Sequence, residues 1–550
     1  MRFKAMDPFW EKSWPESWPR AGVSTGSDPL FKILYDNAHR FHNKPAIIFY
    51  GRFISWMELK DLVFRAAGGL QKLGVCKGDR VYLGLQNCPQ FVIAYFAAHC
   101  LGAIVVPGSP MFKGGEMTYV LNDSGAKVLI LEEELFPIFK SIRNDLKSVE
   151  AVIVTSLAEY LPEEPYPQFP SSILAVGEPG SDRTSWQEFI NNAPITELAD
   201  VTIHDIALLQ YTSGTTGHPK GAMLTHGNIK HRAILDSQLR NDSHEDIHLA
   251  VLPLFHITGM SNHLLCPIFT GCTVCIMVRF DPEIVLATIE RYRVTFMCSI
   301  TTMDIALITH PKFINYDVSS IRRMTMGGAP LPPAIQQKFE DIGIKLAEGY
   351  GMSETTATMT WNPVENIKQG TVGPPIPQVE VRVADMTDID KNVEQGEQGE
   401  LWLRGPSVAV GYWNNPEETA ECFPEGWIRT GDIATLDEDG YVILNGRLKE
   451  LIKASGYSVF PAEVETYLYQ HPAILECCVI GLPHEYRGED VKAFVVLKPD
   501  WIGKVTEEEL VAWAREQMSV YKYPRTIEFR DQLPKSGTGK IMRRLLKTEN

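Results

Sequence analysis

One segment gathers the groups that hold phosphate. Residues Tyr211-Thr-Ser-Gly-Thr-Thr-Gly-His-Pro-Lys-Gly221 bring three glycines, four aliphatic hydroxyls and a lysine together. The glycines Gly214, Gly217 and Gly221 let the backbone turn tightly and approach a ligand. Thr212, Ser213, Thr215 and Thr216, with exposed amides, can donate to phosphate oxygens, and Lys220 adds a mobile cation. The spacing is not that of a Walker A loop, in which Gly and four residues precede Gly-Lys-Ser/Thr, because Pro219 stands where the second Gly belongs. Ser536-Gly-Thr-Gly-Lys540 misses as well, with Pro534 in place of the first Gly and Ile541 in place of the hydroxyl. Taken alone, the Tyr211 loop is either a polar surface turn or a phosphate cradle. The order strand, loop, lysine, helix favours the cradle.

Those groups need a frame. Ile206-Ala-Leu-Leu-Gln-Tyr211 predicts a strand running straight into the loop, and a helix is expected from Gly227. Upstream, Leu59, Leu62, Val63, Ala66, Leu70 and Leu73 step by threes and fours, an amphipathic helix closed by Gly74. Strands are expected at Val81–Leu85, Ala103–Val106 and Ala126–Leu131, with helices near 91–102 and 116–122. This alternation predicts α/β layers around a parallel sheet. Residues 156–204 have no clear period and read as surface loops. From about residue 378 short strands separated by Gly, Asp and Pro predict a small β-rich subdomain. Beyond it lies a compact unit of about 100 residues, near the modal domain size. The fold class is therefore α/β. A large N-terminal domain of layered α/β subdomains plus the β-rich one covers residues 1–446, and a small α+β C-terminal domain covers 447–550.

The bulk composition narrows the chemistry. The 550 residues include 52 Lys and Arg against 68 Asp and Glu, a net charge of −16. That balance argues against holding nucleic acid through an overall field, so anionic ligands must be held by local devices. Cys272-Thr-Val-Cys275 is the sole CxxC; it sits in an apolar run and reads as buried core thiols. The Trp- and Pro-rich N-terminus has no apolar leader segment, and Phe91–Pro107 is too short to span a bilayer. A cytoplasmic protein is expected, with no transmembrane segment; peripheral membrane contact stays open, as does the oligomeric state.

Tyr-Thr-Ser-Gly-Thr-Thr-Gly-x-Pro-Lys-Gly resembles the signature of the adenylate-forming superfamily, which includes acyl-CoA synthetases, aryl-CoA ligases, nonribosomal adenylation domains and beetle luciferases. Further motifs of that family follow in order along nearly the whole chain. Leu252-Pro-Leu-Phe-His256 looks like the segment beside the acyl carboxylate, which implies that His256 borders the junction of acyl pocket and adenylate. Met326-Gly-Gly-Ala-Pro330 is similar to the loop along adenine, implicating Gly328, Ala329 and Pro330. In Glu348-Gly-Tyr-Gly-Met-Ser-Glu354, the resemblance implies that Tyr350 stacks on adenine, Ser353 contacts the α-phosphate side and Glu354 is a hard oxygen ligand for Mg²⁺. Asp432, closing Trp427-Ile-Arg-Thr-Gly-Asp432, would accept the ribose hydroxyls. In Gly446-Arg-Leu-Lys-Glu-Leu-Ile-Lys453, Arg447 would reach ribose or phosphates and Lys449 would be the hinge. Pro534-Lys-Ser-Gly-Thr-Gly-Lys540 carries the lysine that the family uses for adenylation, Lys540.

The resemblance implies two steps: attack of a carboxylate on ATP to give acyl-AMP, then transfer of the acyl group to the thiol of CoA. The C-terminal domain would turn at Lys449 between them, exchanging Lys540 for the loop that holds Lys453, Ser455, Gly456 and Tyr457. Ser455-Gly-Tyr-Ser458 is closer to fatty-acyl-CoA synthetases, while Lys453 follows the coumarate-ligase and luciferase pattern. A medium- or long-chain fatty-acid–CoA ligase is the leading expectation. An aryl- or cyclic-acid–CoA ligase, or an acyl-AMP ligase loading a separate carrier, is the alternative; a silent nucleotide-binding regulator is disfavoured by intact Lys540, Asp432, Arg447 and Glu354. His256–Asn262, Phe296–Met303 and Thr325–Gly328 are expected to line the acyl pocket, and their small apolar residues favour an uncharged tail.

Overall fold

The computed structural model describes residues 3–170, 182–212, 219–328, 333–454, 457–484, 487–535 and 541–548. A seven-stranded sheet runs in the order Thr184–Ser185, Ala151–Thr155, Val128–Glu132, Arg80–Gly84, Ile104–Pro107, Ile206–Thr212 and Lys220–Thr225. Its neighbours are parallel except for the last pair. Val128–Glu132 and Ile104–Pro107 are buried along their whole length, as strands covered on both faces must be. The run that imitates a membrane span splits as expected. Pro89–Cys100 is a helix with every residue buried and Ile104–Pro107 is a strand. No described helix is long and apolar enough to cross a membrane.

A second sheet of eight strands holds, among others, Thr273–Ile276, Ile247–Ala250, Phe296–Ser299, Arg323–Met326 and Leu346–Met352, all parallel to their neighbours within this group. Cys272 and Cys275 are both buried here, and burial pushes the Cys272 thiol up to about 12, so neither is poised as a nucleophile. In the β-rich region, Glu380–Ala384, Gly399–Arg404, Ile428–Leu436 and Val442–Arg447 form an antiparallel sheet. Trp10, Trp14 and Trp18 of the N-terminal segment are buried against it. The last sheet comprises Tyr457–Val459, Ile452–Ala454, Gly488–Leu497, Ile474–His484 and Thr526–Phe529. It is packed by two apolar clusters whose buried members all lie between Ile452 and Leu546.

One sequence expectation needs correcting. Residues 156–204 are not all surface loop: Leu157–Tyr160 is a 3-10 turn, Thr184–Ser185 a short strand and Trp186–Ile190 a helix. Trp186 and Phe189 are buried because the helix Trp56–Lys72 presents Gly69 to them; a Cβ there would lie 2.6 Å from the Phe189 ring. Seven of the described apolar residues of this stretch are buried (Leu157, Tyr160, Phe169, Trp186, Phe189, Ile195 and Val201), too irregularly spaced to make a period. The helix expected from Gly227 is present as His226–Leu239, with a strand before it that the sequence did not announce. Lys220–Thr225 returns as a strand antiparallel to Ile206–Thr212, and Thr225 then caps the helix His226–Leu239.

Candidate active site

The loop hangs from a hairpin. Thr212 pairs with Lys220 in the ladder, where the two strands of the hairpin end. Ser213, Gly214, Thr215, Thr216 and Gly217 lie outside the described residues. Lys220 is ion-paired with Glu418, and its ammonium stands 5.5 Å from the centre of the Tyr412 ring. That hydrogen bond holds the Glu418 carboxyl below its usual range. Tyr412 reaches this place because its backbone bridges Ala222 beside the returning strand, with Met223 N donating to Gly411 O and Trp413 N to Gly221 O.

Glu354 stands on the opposite wall, in the 3-10 turn Ser353–Thr355 that follows Leu346–Met352. It is buried, and burial pushes its carboxyl up; the Tyr412 hydroxyl, donating to Oε1 at 2.8 Å, works in the other direction. The turn is held under strain. Thr356 and Ala357 have φ of 53° and 74°, unusual for residues with a side chain. The chain can double back there because residue 351 is glycine: a Cβ on Gly351 would sit 1.5 Å from the Ala357 carbonyl oxygen.

Asp432, Tyr350 and Arg447 form one cluster. The Tyr350 hydroxyl donates to Asp432 Oδ2 at 2.6 Å, and Arg447 Nε lies 3.1 Å from Oδ1. Asp432 and Arg447 are direct partners in the antiparallel ladder, which fixes their side chains on the same face. Burial and then the Asp432 charge drive the Tyr350 phenol well up, while Asp432 holds Arg447 charged. Ser353 begins the turn that carries Glu354. Gly328 has φ of 85° and ends the turn after Arg323–Met326; Ala329 and Pro330 lie outside the described residues.

His256 caps the helix Ile257–Met260, its Nδ1 accepting from Thr258 N at 3.4 Å. The segment before it is clamped by residues that motif reading passed over. Asn87 donates to Leu252 O at 2.9 Å and accepts from Leu254 N at 2.7 Å, and Gln210 donates to Phe255 O at 3.1 Å. Asn87, Gln210, Tyr412 and Glu418 are thus the site neighbours that the sequence reading missed. Gln210 adjoins the Tyr211 loop, and that adjacency was the one signal available.

Lys449 lies in the 3-10 turn Leu448–Glu450, immediately after the strand that ends at Arg447. Lys453 is in Ile452–Ala454, its amide donating to Glu489 Oε2 at 2.7 Å. Ser455 and Gly456 lie outside the described residues, and Tyr457 opens the next strand. Lys540 is also outside them; Lys535 and Ile541, on either side in sequence, form an antiparallel bridge.

A cavity of about 60 Å³ lies under the Met326–Gly328 turn and reaches Asp236, Arg240, Asn262, Cys298 and Trp361. The segments expected to line an acyl pocket do meet here through Thr258, Asn262, Cys298 and Thr325. The expectation of an apolar wall fails, because the helix His226–Leu239 and the residue after it supply Asp236 and Arg240 from outside those segments. Taken together, the site presents a lysine paired with Glu418, a buried carboxylate, a cluster of carboxylate, phenol and guanidinium, and a small inner cavity.

Known proteins share this arrangement of chain. Residues 34–413 match the model of a family described as AMP-binding enzyme, and residues 463–540 match that of the AMP-binding enzyme C-terminal domain. A long-chain-fatty-acid–CoA ligase of Bacillus subtilis (strain 168) is 39% identical, over 95% of both chains. A feruloyl-CoA synthase of Amycolatopsis sp is 36% identical, over 90% of this chain and 93% of its own. The crystal structure of an anthranilate CoA ligase in complex with anthranoyl-AMP superposes with a TM-score of 0.85 at 30% identity, covering 96% of this chain and 99% of its own.

Proposed function

The chain belongs to the AMP-binding enzyme family, and from that premise we propose that it activates a fatty acid as its adenylate and passes the acyl group to coenzyme A. It is an acid–thiol ligase of the AMP-forming class, working with ATP, Mg²⁺ and CoA. The fatty-acid class of the substrate is supported by the likeness to the Bacillus subtilis ligase along the whole chain. The observation that carries the adenylating role is the cluster in which Asp432 binds Tyr350 and Arg447 at 2.6 and 3.1 Å. It offers a carboxylate to ribose hydroxyls, an aromatic face to a base and a guanidinium to phosphate within one wall.

In the first step a carboxylate oxygen attacks the α-phosphorus and the bond to pyrophosphate breaks. Two anions must meet, so the protein's part is positioning and charge neutralisation. Lys220 leaves Glu418 for the phosphates, and Lys540, carried on its glycine-flanked segment, bridges carboxylate and phosphate. Loop residues Thr212 to Gly217 supply donors, Gly328 to Pro330 lie along the base, and Ser353 faces the α-phosphate. His256 borders the reacting carboxylate. Glu354 fits Mg²⁺: it is a buried carboxylate whose charge is costly until a cation compensates it. Bound Mg²⁺ supplies positive charge against the phosphate oxygens. In the second step the CoA sulfur attacks the acyl carbon, AMP departs with the bonding pair, and the thiol proton is lost. Residues 447–550 turn at Lys449 for this step, bringing in Lys453, Ser455, Gly456 and Tyr457. Cytoplasmic residence belongs to the same proposal, supported by ten cysteines without a disulfide.

Pyrophosphate release over a panel of acids, with and without CoA, tests the reading. Fatty acids should give pyrophosphate, AMP and acyl-CoA in equal amounts, with turnover dependent on CoA. An aryl or cyclic acid is the second reading, favoured by the likeness to a feruloyl-CoA synthase and an anthranilate CoA ligase. Turnover with such acids and none with fatty acids would replace the first.

A further inference from the structure

The cavity under the Met326–Gly328 turn has a wall that is wrong for a bare hydrocarbon tip. Its volume, about 60 Å³, takes roughly four water-sized groups at about 10–15 Å³ each. Asp236, Arg240 and Asn262 line it, each at least nine-tenths buried. They are tied into a rigid network. Arg240 donates to Asn262 Oδ1 at 2.8 Å and to Asp242 Oδ2 at 2.9 Å, Asp236 accepts from Arg232 at 3.1 Å, and Asn262 donates to Thr258 O at 3.0 Å.

What the network leaves over is mostly donors. Trp361 lines the same cavity, is 4% exposed, and its indole Nε1 has no hydrogen-bond partner among the described residues. The edge of the ring next to that nitrogen faces Gly349, another lining residue, whose Cβ would come 3.3 Å from Trp361 Cδ1. Among the described residues, Asn262 spends one of its two N–H groups, and the N–H groups of Arg240 are hydrogen-bonded to Asp242 and Asn262 alone. A methyl group placed here leaves those donors dry, whereas an oxygen accepts from them.

We propose that the acid this enzyme activates carries a hydrogen-bond-accepting oxygen, a hydroxyl or a carbonyl, on the part of its tail that fills this cavity. Trp361 and Asn262 read that oxygen. The inference rests on the acid–CoA ligase reading and adds the chemistry of the tail to it. It also reconciles a small polar cavity with kinship to ligases of both fatty and aromatic acids.

The test compares matched acids in the pyrophosphate-release assay. One series walks a single hydroxyl along decanoate; a second pair sets 4-hydroxycinnamate against cinnamate. At least one oxygenated acid should exceed its parent in kcat/KM by roughly tenfold or more, the scale on which an unpaired buried group discriminates. Trp361→Phe, which keeps a ring and loses the N–H, and Asn262→Leu should each lower that ratio several-fold. The proposal is overturned if every parent acid matches or exceeds its oxygenated partners, or if both variants keep the wild-type ratio. Should a variant fail to fold, the wild-type ratio decides alone. Pyrophosphate release with none of these acids is a different failure: it removes the ligase reading and this inference with it.

Discussion

The Tyr412 hydroxyl donates to Glu354 Oε1 at 2.8 Å, joining two residues 58 apart in the sequence. The bond is the counterweight to burial, which pushes the Glu354 carboxyl towards its protonated form. Tyr412→Phe removes a donor to the charged form, so the carboxyl rises further. The acid limb of the pH profile of kcat/KM for ATP should therefore move to higher pH. An unmoved limb would separate Glu354 from the titration that governs activity.

Lys540→Ala should abolish acyl-adenylate formation and leave thioester formation from supplied acyl-AMP largely intact, since the lysine neutralises charge in the first step only. Lys449→Pro fixes φ at the joint and should spare one partial reaction more than the other. Measuring the two half-reactions separately checks both. Equal losses in the two halves would remove these assignments.

Gly351→Ala should leave little folded protein. The new methyl would overlap the Ala357 carbonyl oxygen, 1.5 Å away, and backbone cannot yield as a side chain can. A loss of several kcal/mol is the order expected of overpacking beside strained backbone. Gly115→Ala is the control. It lies in the helix Gly114–Ser124 with nothing within 4 Å of its Cβ, and should be neutral or gain about 0.5–1 kcal/mol. Denaturant midpoints of the two variants should move in opposite directions or not at all for the control.

Asp304 is fully buried on the helix Thr301–Ile308, and burial raises its carboxyl from 3.8 to about 7. The folded chain keeps this proton where the unfolded chain has released it, so the contribution of Asp304 to stability falls as pH rises between those two values. His226 and His248, lowered to about 4 by burial, slope the other way, being protonated only in the unfolded chain below their ordinary 6.5. Asp304→Asn removes the first term alone. It should change stability little near about pH 4 and stabilise increasingly up to about pH 8. A urea midpoint difference that is the same at both ends would contradict a protonated Asp304.

Much of this was legible in the sequence for an identifiable reason. Short motifs fix chemistry locally, so Glu354, Asp432 and Arg447 could be named before any fold was known. Alternating apolar periods gave away the parallel layers around Arg80–Gly84 and Val128–Glu132. What escaped depends on partners far along the chain. Tyr412 meets Glu354 through a bridge to Ala222, and Asn87 clamps a loop 165 residues later. Lys220–Thr225 opens with Lys-Gly, which gives no strand signal, and owes its conformation to pairing with Ile206–Thr212. Asp236 and Arg240 escaped for another reason: charges on a helix normally face water, and here they face inward.

The ladder partnership of Asp432 with Arg447 also bears on where the proposed hinge would begin. Arg447 is the last residue of its strand, anchored to the nucleotide side by Asp432. Three positions on, Glu450 is held at 2.9 Å by Arg543 of the C-terminal helix Arg543–Thr548. Between those two fastenings lie only Leu448 and Lys449. For the hinge proposed at Lys449, an axle so short would leave little slack: the C-terminal part would swivel without drifting. A nucleotide gripped at Arg447 would stay in its seat while the tool above it is changed.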